Sequence, residues 1–229
     1  GSSLVGSEMC IRDSQYLANK NGVLLADTPL TLAETASVFG EMLTFKSLLK
    51  KSENKNQKIS LLRSKIEDML NTVFRQVAFF KFEREVHLKR SSGELTEEEI
   101  GKIWMDTQKE SLGPSIKFND NYKYFWAYIP HFIHSPFYVY AYAFGDCLVN
   151  SLYKKYEDGD DDFIEKYYAL LEAGGSVHYQ NHLSKFKLNP KRGDFWQLGM
   201  NLIKNLMDDL EKLSSVSYTH LTLPTRLVV

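Results

Sequence analysis

Glu34, Ser37 and Glu41 stand three, four and seven residues apart within Leu25 to Glu41, LADTPLTLAETASVFGE. On a helix those spacings fall along one side, so two carboxylates and a hydroxyl share a line on an otherwise apolar element. A carboxylate face drawn into a fold requires a cation. A plainer reading competes with this one: Thr31 and Glu34 form an S/T-x-x-E capping box, worth about 1 kcal/mol of helix stability. Further along, in Tyr128 to Gly145, YIPHFIHSPFYVYAYAFG, the residues Tyr138, Tyr140 and Tyr142 alternate. Taken alone, that alternation reads as aromatic side chains filling a core.

Other reactive residue types carry less. His178 and His182 have the i,i+4 spacing of zinc-ligating pairs on a helix, but Tyr179 follows where a metalloprotease needs glutamate. His87 lies beside Lys89 and Arg90 near the end of a long helical pattern, where a positive charge favours the negative helix end. Arg75 and Glu83 lie inside that pattern, and ion pairs with neighbouring elements are expected of them. The acidic run Asp158 to Asp162 lacks the glutamate that closes a calcium loop, so it reads as a solvated turn.

The elements that must position these residues are helical almost throughout, with apolar residues recurring every three to four places. A first helix is expected from near Pro29 or Leu32 to about Lys50, with Leu32, Ala36, Phe39, Leu43 and Leu48 on its apolar positions. A second runs from about Ile59 to Lys89 and carries Leu62, Ile66, Met69, Leu70, Val73, Val77 and Phe80, a stripe long enough for a central pillar. Thr96 and Glu99 form a capping box that starts a third helix, ended by Gly113-Pro114. A fourth is expected from Phe137 to Tyr156, then Phe163 to Ala173 with a Gly174-Gly175 stop, and short helices at His178 to Phe186 and Phe195 to Leu213. The fold class is therefore an irregular all-α unit.

Composition narrows the function. With 43% hydrophobic residues in 229, the chain can bury a sizeable core. Its 28 lysines and arginines balance 29 aspartates and glutamates without a basic stripe, which argues against a nucleic-acid partner. No apolar run approaches the roughly 20 residues that cross a bilayer, so no membrane partner and a cytoplasmic location are expected. Two cysteines, Cys10 and Cys147, make no disulfide framework. Residues 1–14 and 216–229 lack the periodicity of the interior and read as non-native or disordered tails around a unit spanning 15–215, which makes Cys10 and His220 accidental.

The segment LAETASVFGE resembles the third-ligand motif of the oligoendopeptidase F family of zinc metallopeptidases, relatives of thimet oligopeptidase. Tyr128 to Gly145 resembles the histidine-and-tyrosine loop of the same family, and IEDMLNTVFRQVAFFKFE, IWMDTQKESLGP and FGDCLVNSLY extend the likeness across about Gln15 to Ser214. The resemblance implies the fold of a zincin-type catalytic lobe, zinc as cofactor and short peptides as substrates. In that family a His-Glu-x-x-His helix supplies two ligands and the general base. Glu34 matches the third ligand, and Glu41 a carboxylate that supports a ligand histidine. His131, Tyr138 and Tyr142 match donors to the substrate carbonyl and oxyanion, and Tyr140 is carried over as a substrate-binding position.

The sequence departs from the family in one respect, because no His-Glu-x-x-His occurs in it. Hydrolysis is therefore expected to be absent from this chain as it stands. The alternative from another class is a non-enzymatic helical module whose aromatic face, Tyr122 to Phe144, binds a peptide or partner helix. A further expectation is that the Leu30 to Leu49 helix exposes apolar surface and promotes association.

Overall fold

A computed structural model describes residues 14–29, 32 and 34–215 of the chain. Thr31, Leu30, Cys10 and His220 lie outside the described residues, and so do the expected tails apart from Ser14. The fold is all-α as expected, with no strand among the described residues. None of the described helices is long and apolar enough to cross a membrane.

The chain opens with helical residues 14–18 (α1), followed by a 3₁₀ turn at Asn19–Asn21. The segment after it is strapped onto a distant helix end. Asn21 donates to the carbonyls of Glu172 and Ala173 at 2.7 and 3.1 Å, Lys20 pairs with Glu172, and the Gly175 amide donates to the Leu25 carbonyl at 2.8 Å. Gly174 sits at φ +50°, where a Cβ would lie 2.5 Å from the Leu25 oxygen. Glycine there serves both the left-handed turn and the close approach.

Helix α2 covers Thr35–Lys51, later than the expected start near Pro29 or Leu32. The entry is made instead by two tight turns, Leu32 N–H to Pro29 carbonyl and Thr35 N–H to Leu32 carbonyl, at 2.8 and 3.0 Å. The helix buries Phe39, Met42 and Phe45, whereas the expected core positions Leu43 and Leu48 are 39% and 49% exposed. Those two flank, on opposite sides, the line through 39, 42 and 45 that faces the rest of the fold.

The expected pillar is a single long rod in three parts: α3 (Lys55–Leu70), capped by the Asn54 side chain, a π-helical turn (Asn71–Arg75) and α4 (Gln76–Arg90). The π turn inserts one residue into the helical register. Leu62, Ile66 and Met69 before it, and Val73 within it, are buried on schedule; after it, Ala78, Phe79, Phe82 and Glu83 turn inward, and Val77 is 42% exposed. The stripe read across Val77 and Phe80 is therefore corrected by one residue. Helix α5 (Glu97–Leu112) begins with the expected Thr96/Glu99 capping box.

A 3₁₀ stretch (Asp120–Tyr128) and a single turn α6 (His131–His134) lead to α7 (Tyr140–Glu157). From Ala143 to Tyr153 every residue of α7 is buried. It packs against α2, the π turn, α4 and α10 (Gly193–Ser215), with α8 (Phe163–Glu172) and α9 (Tyr179–Lys185) completing the order. Gly199 of α10 allows the closest approach, because a Cβ there would meet the Cys147 Cα at 3.2 Å. Two cores result. A larger one joins α2, α3, α7 and α10 through residues such as Met42, Leu62, Leu148, Leu152 and Leu206; a smaller aromatic one joins Phe79, Phe82, Trp104, Ile129 and Val139 beneath the α6–α7 connection.

Candidate active site

Glu34 stands at the N-cap of α2 with φ −91° and ψ 1°, the sparsely populated bridge conformation in which active-site residues are often held. Its side chain makes no capping bond to the backbone; instead the Ser37 hydroxyl donates to Glu34 Oε2 at 3.1 Å, or to its carbonyl at 3.2 Å. Half-buried, with one oxygen steadied by Ser37, the carboxylate is kept available and is not spent on the helix end.

The connection before α7 brings His131, Tyr138 and Tyr142 together. His131 lies one residue after Pro130, and α7 begins only at Tyr140, not at Phe137 as expected. Phe137 has φ +60°, and that left-handed residue breaks the helix before Tyr138. Tyr138 therefore projects from a turn, and Tyr142 from the first turn of the helix. Their rings lie 5.2 Å apart between centroids, and His131 is 5.4 Å from Tyr138 and 5.7 Å from Tyr142, edge-on to the latter. The Tyr142 hydroxyl is 3.3 Å from His131 Nε2.

Electrostatics links this cluster to Glu34. Burial pushes the Tyr142 phenol up to about 12, the neighbouring Tyr138 phenol adds to the rise, and the Glu34 carboxylate adds a further part. Two elements far apart in sequence therefore share one electrostatic site. At neutral pH Tyr142 stays protonated and remains a hydrogen-bond donor.

The other candidates fall elsewhere. Tyr140 sets its ring edge-on to Phe80 of α4 at 5.9 Å, on the side of α7 away from Tyr142, since two residues along a helix turn a side chain through roughly 200°. Glu41 is exposed on α2, and its charge reaches Asp146 of α7. Asp146 is itself driven up to about 6, first by burial and then by Glu41, against Lys65 and Asn150, which lower it. His178 caps α9, its Nδ1 accepting from the Gln180 amide at 3.4 Å, and His182 is buried. Burial lifts the Cys147 thiol to about 12, so it is no nucleophile.

Among the described residues, no three histidine, cysteine, aspartate or glutamate side chains come together to hold a metal ion. The described residues by themselves therefore do not fit a zinc ion.

Glu83, expected from the sequence to make an ion pair, accepts a backbone amide instead. Glu83 on α4 is 2% exposed, and its Oε1 accepts the Phe137 amide at 2.7 Å. The only available signal was a one-residue break in the stripe after Val73, which the π turn produces.

Comparison with known proteins agrees with this architecture. Oligoendopeptidase F, plasmid form, of Lactococcus lactis subsp. cremoris is 32% identical over 201 residues, which cover 87% of this chain and 33% of that protein. A crystal structure from Chlamydophila abortus superposes with a TM-score of 0.81 at 31% identity over 92% of this chain and 36% of that one. The crystal structure of oligoendopeptidase F from Enterococcus faecium shares the fold, with a TM-score of 0.79 at 24% identity over 93% and 39% of the two chains. The chain spans about a third of the length of the curated relatives it matches. The model of peptidase family M3 matches residues 15–202, and the chain belongs to that family.

Proposed function

We propose that this chain is part of a zinc metalloendopeptidase that hydrolyses peptide bonds in short peptides, and that Glu34, His131, Tyr138 and Tyr142 form part of its active site. The observation that carries the reading is the convergence of His131 and Tyr138, before α7, with Tyr142, from its first turn, on a site whose electrostatics include Glu34. In this reading the phenols donate to the scissile carbonyl oxygen and hold it more strongly as it becomes an oxyanion. With the His131 proton on Nε2, the imidazole donates to the Tyr142 oxygen and leaves the phenol proton facing the substrate. Glu34 is the carboxylate offered to the metal, and Glu41, two turns further along the same side of α2, is the carboxylate that would support a ligand histidine. Tyr140 is reserved for a substrate side chain beyond the reacting carbonyl.

The sequence holds no His-Glu-x-x-His, so on this reading the chain is inert until those imidazoles and their glutamate are supplied. The test is metal analysis of the purified chain and of a version in which residues 1–14 are replaced by a complete upstream peptidase segment. About one zinc per chain is expected in the extended form and none in the short form. An extended form that stays metal-free would overturn the assignment of Glu34 and favour the peptide-binding module.

A further inference from the structure

Glu83 has no place in the chemistry above, yet it is a carboxylate held at 2% exposure by the register shift of the π turn. No cation pairs with it among the described residues, and its Oε2 is buried without a hydrogen-bond partner. Its Oε1 spans 54 residues of sequence to accept the Phe137 amide at 2.7 Å. Burial of a carboxylate for a single hydrogen bond is costly, and the bond the Phe137 amide donates to it is at the short end for N–H to oxygen.

The recipient is a strained residue. Phe137 holds φ +60° with a full side chain, a left-handed conformation that a bulky residue adopts only when its surroundings hold it there. Its ring is met by His87, one turn beyond Glu83 on α4, at 4.7 Å between centroids. α4 therefore grips Phe137 twice, at the amide and at the ring. The next residue is Tyr138, and the left-handed step at Phe137 is what turns Tyr138 off the axis of α7 and toward His131.

We infer that Glu83 is a positioning residue that holds the Phe137 amide, and through it sets the direction of the Tyr138 phenol for the reaction. This rests on the peptidase reading above for its effect on turnover, but not for its effect on the loop. The loop is tested in the chain itself, by hydrogen exchange at the Phe137 amide. Glu83→Met, similar in length and without an acceptor, is expected to lower protection at least tenfold. Glu83→Gln, which keeps an acceptor oxygen, is expected to leave it within threefold.

Turnover is tested in an active peptidase that carries this region together with its zinc-ligating segment. There Glu83→Met is expected to lower kcat at least tenfold with KM changed less than threefold, and Glu83→Gln to restore kcat. In a Tyr138→Phe background the Glu83→Met effect on kcat is expected to vanish. Unchanged Phe137 protection in Glu83→Met, or a kcat loss that is fully additive with Tyr138→Phe, would overturn the inference. Should Glu83→Met fail to fold, Glu83→Asp, which withdraws the carboxylate by one methylene, is expected to show the same pattern at smaller amplitude, and wild-type protection and kcat in it would count against the inference. A Tyr138→Phe variant with undiminished kcat would refute the peptidase role of Tyr138, and the exchange result would still decide whether Glu83 holds the loop.

Discussion

Helix α7 and the connection that leads into it are adjacent in sequence, but different forces hold them. From Ala143 to Tyr153 the helix is buried on every side, clasped by α10, α2, α4 and the π turn. Of the connection from Ile129 to Val139, only its two end residues are buried, at 8% and 1% exposure, and the backbone between them proceeds by tight turns. Tyr142 thus belongs to the most rigidly packed element, and Tyr138 to a loop fixed by a few directed contacts. The candidate site straddles the two. Stability should accordingly reside in one region and be adjustable apart from the chemistry placed by the other.

The sharpest way to break that contrast is to hollow the packed region. Leu148 is fully buried in the larger core, and Leu148→Ala is expected to lower unfolding free energy by about 2–5 kcal/mol. Ile133 is 61% exposed in the connection, and Ile133→Ala is expected to stay within about 0.5 kcal/mol. Urea denaturation followed by circular dichroism measures both. Comparable losses at the two positions would erase the distinction.

Removing a phenol should do the opposite. In an active peptidase carrying this region, Tyr138→Phe and Tyr142→Phe are each expected to lower kcat by about 10²–10³, the loss seen when one oxyanion donor is deleted. Their melting transitions should barely move. A variant that melts early yet turns over normally would assign the phenol to packing.

A third test uses acidity. In the folded chain burial raises Asp146 from 3.8 to about 6, so the folded state binds this proton more tightly than the unfolded state. Its contribution to stability is complete below about pH 4 and is lost as the pH rises through about 6, amounting to roughly 3 kcal/mol across that window. Asp146→Asn is expected to flatten this part of the stability–pH curve and to raise stability at pH 7. A curve of unchanged slope between pH 4 and 6 would show that Asp146 is solvated. A smaller loss is expected at the α5 cap: Thr96→Ala should cost about 1 kcal/mol, read from the same denaturation curves.

How much of this was legible in the sequence follows the physics of each region. The capping box at Thr96 and Glu99 is a local signal, and the structure places it where it was read. Helical periodicity located the rod from α3 to α4, but it could not show the π turn. That turn has no residue signature of its own, and every inward position after Val73 moved by one because of it. The same shift turns Glu83 inward, where it accepts the Phe137 amide in place of the ion pair expected of it. The start of α2 was read too early because Pro29 is compatible with a first helical turn, whereas the chain uses two tight turns before Thr35. In the connection, the alternation of Tyr138, Tyr140 and Tyr142 looked uniform. A left-handed phenylalanine and the onset of α7 separate them, so that Tyr138 and Tyr142 meet His131 while Tyr140 meets Phe80. That the Glu34 charge bears on Tyr142 is a tertiary effect, suggested in the sequence only by family resemblance.

The most direct test of the account is hydrolysis of a quenched oligopeptide by the chain extended with a complete upstream peptidase segment, measured beside the same protein carrying Glu34→Ala. The account predicts cleavage by the extended chain and loss of it, by at least a thousandfold in kcat/KM, in the Glu34→Ala variant. Cleavage that survives Glu34→Ala, or an extended chain that folds and binds peptide without cutting it, would contradict it.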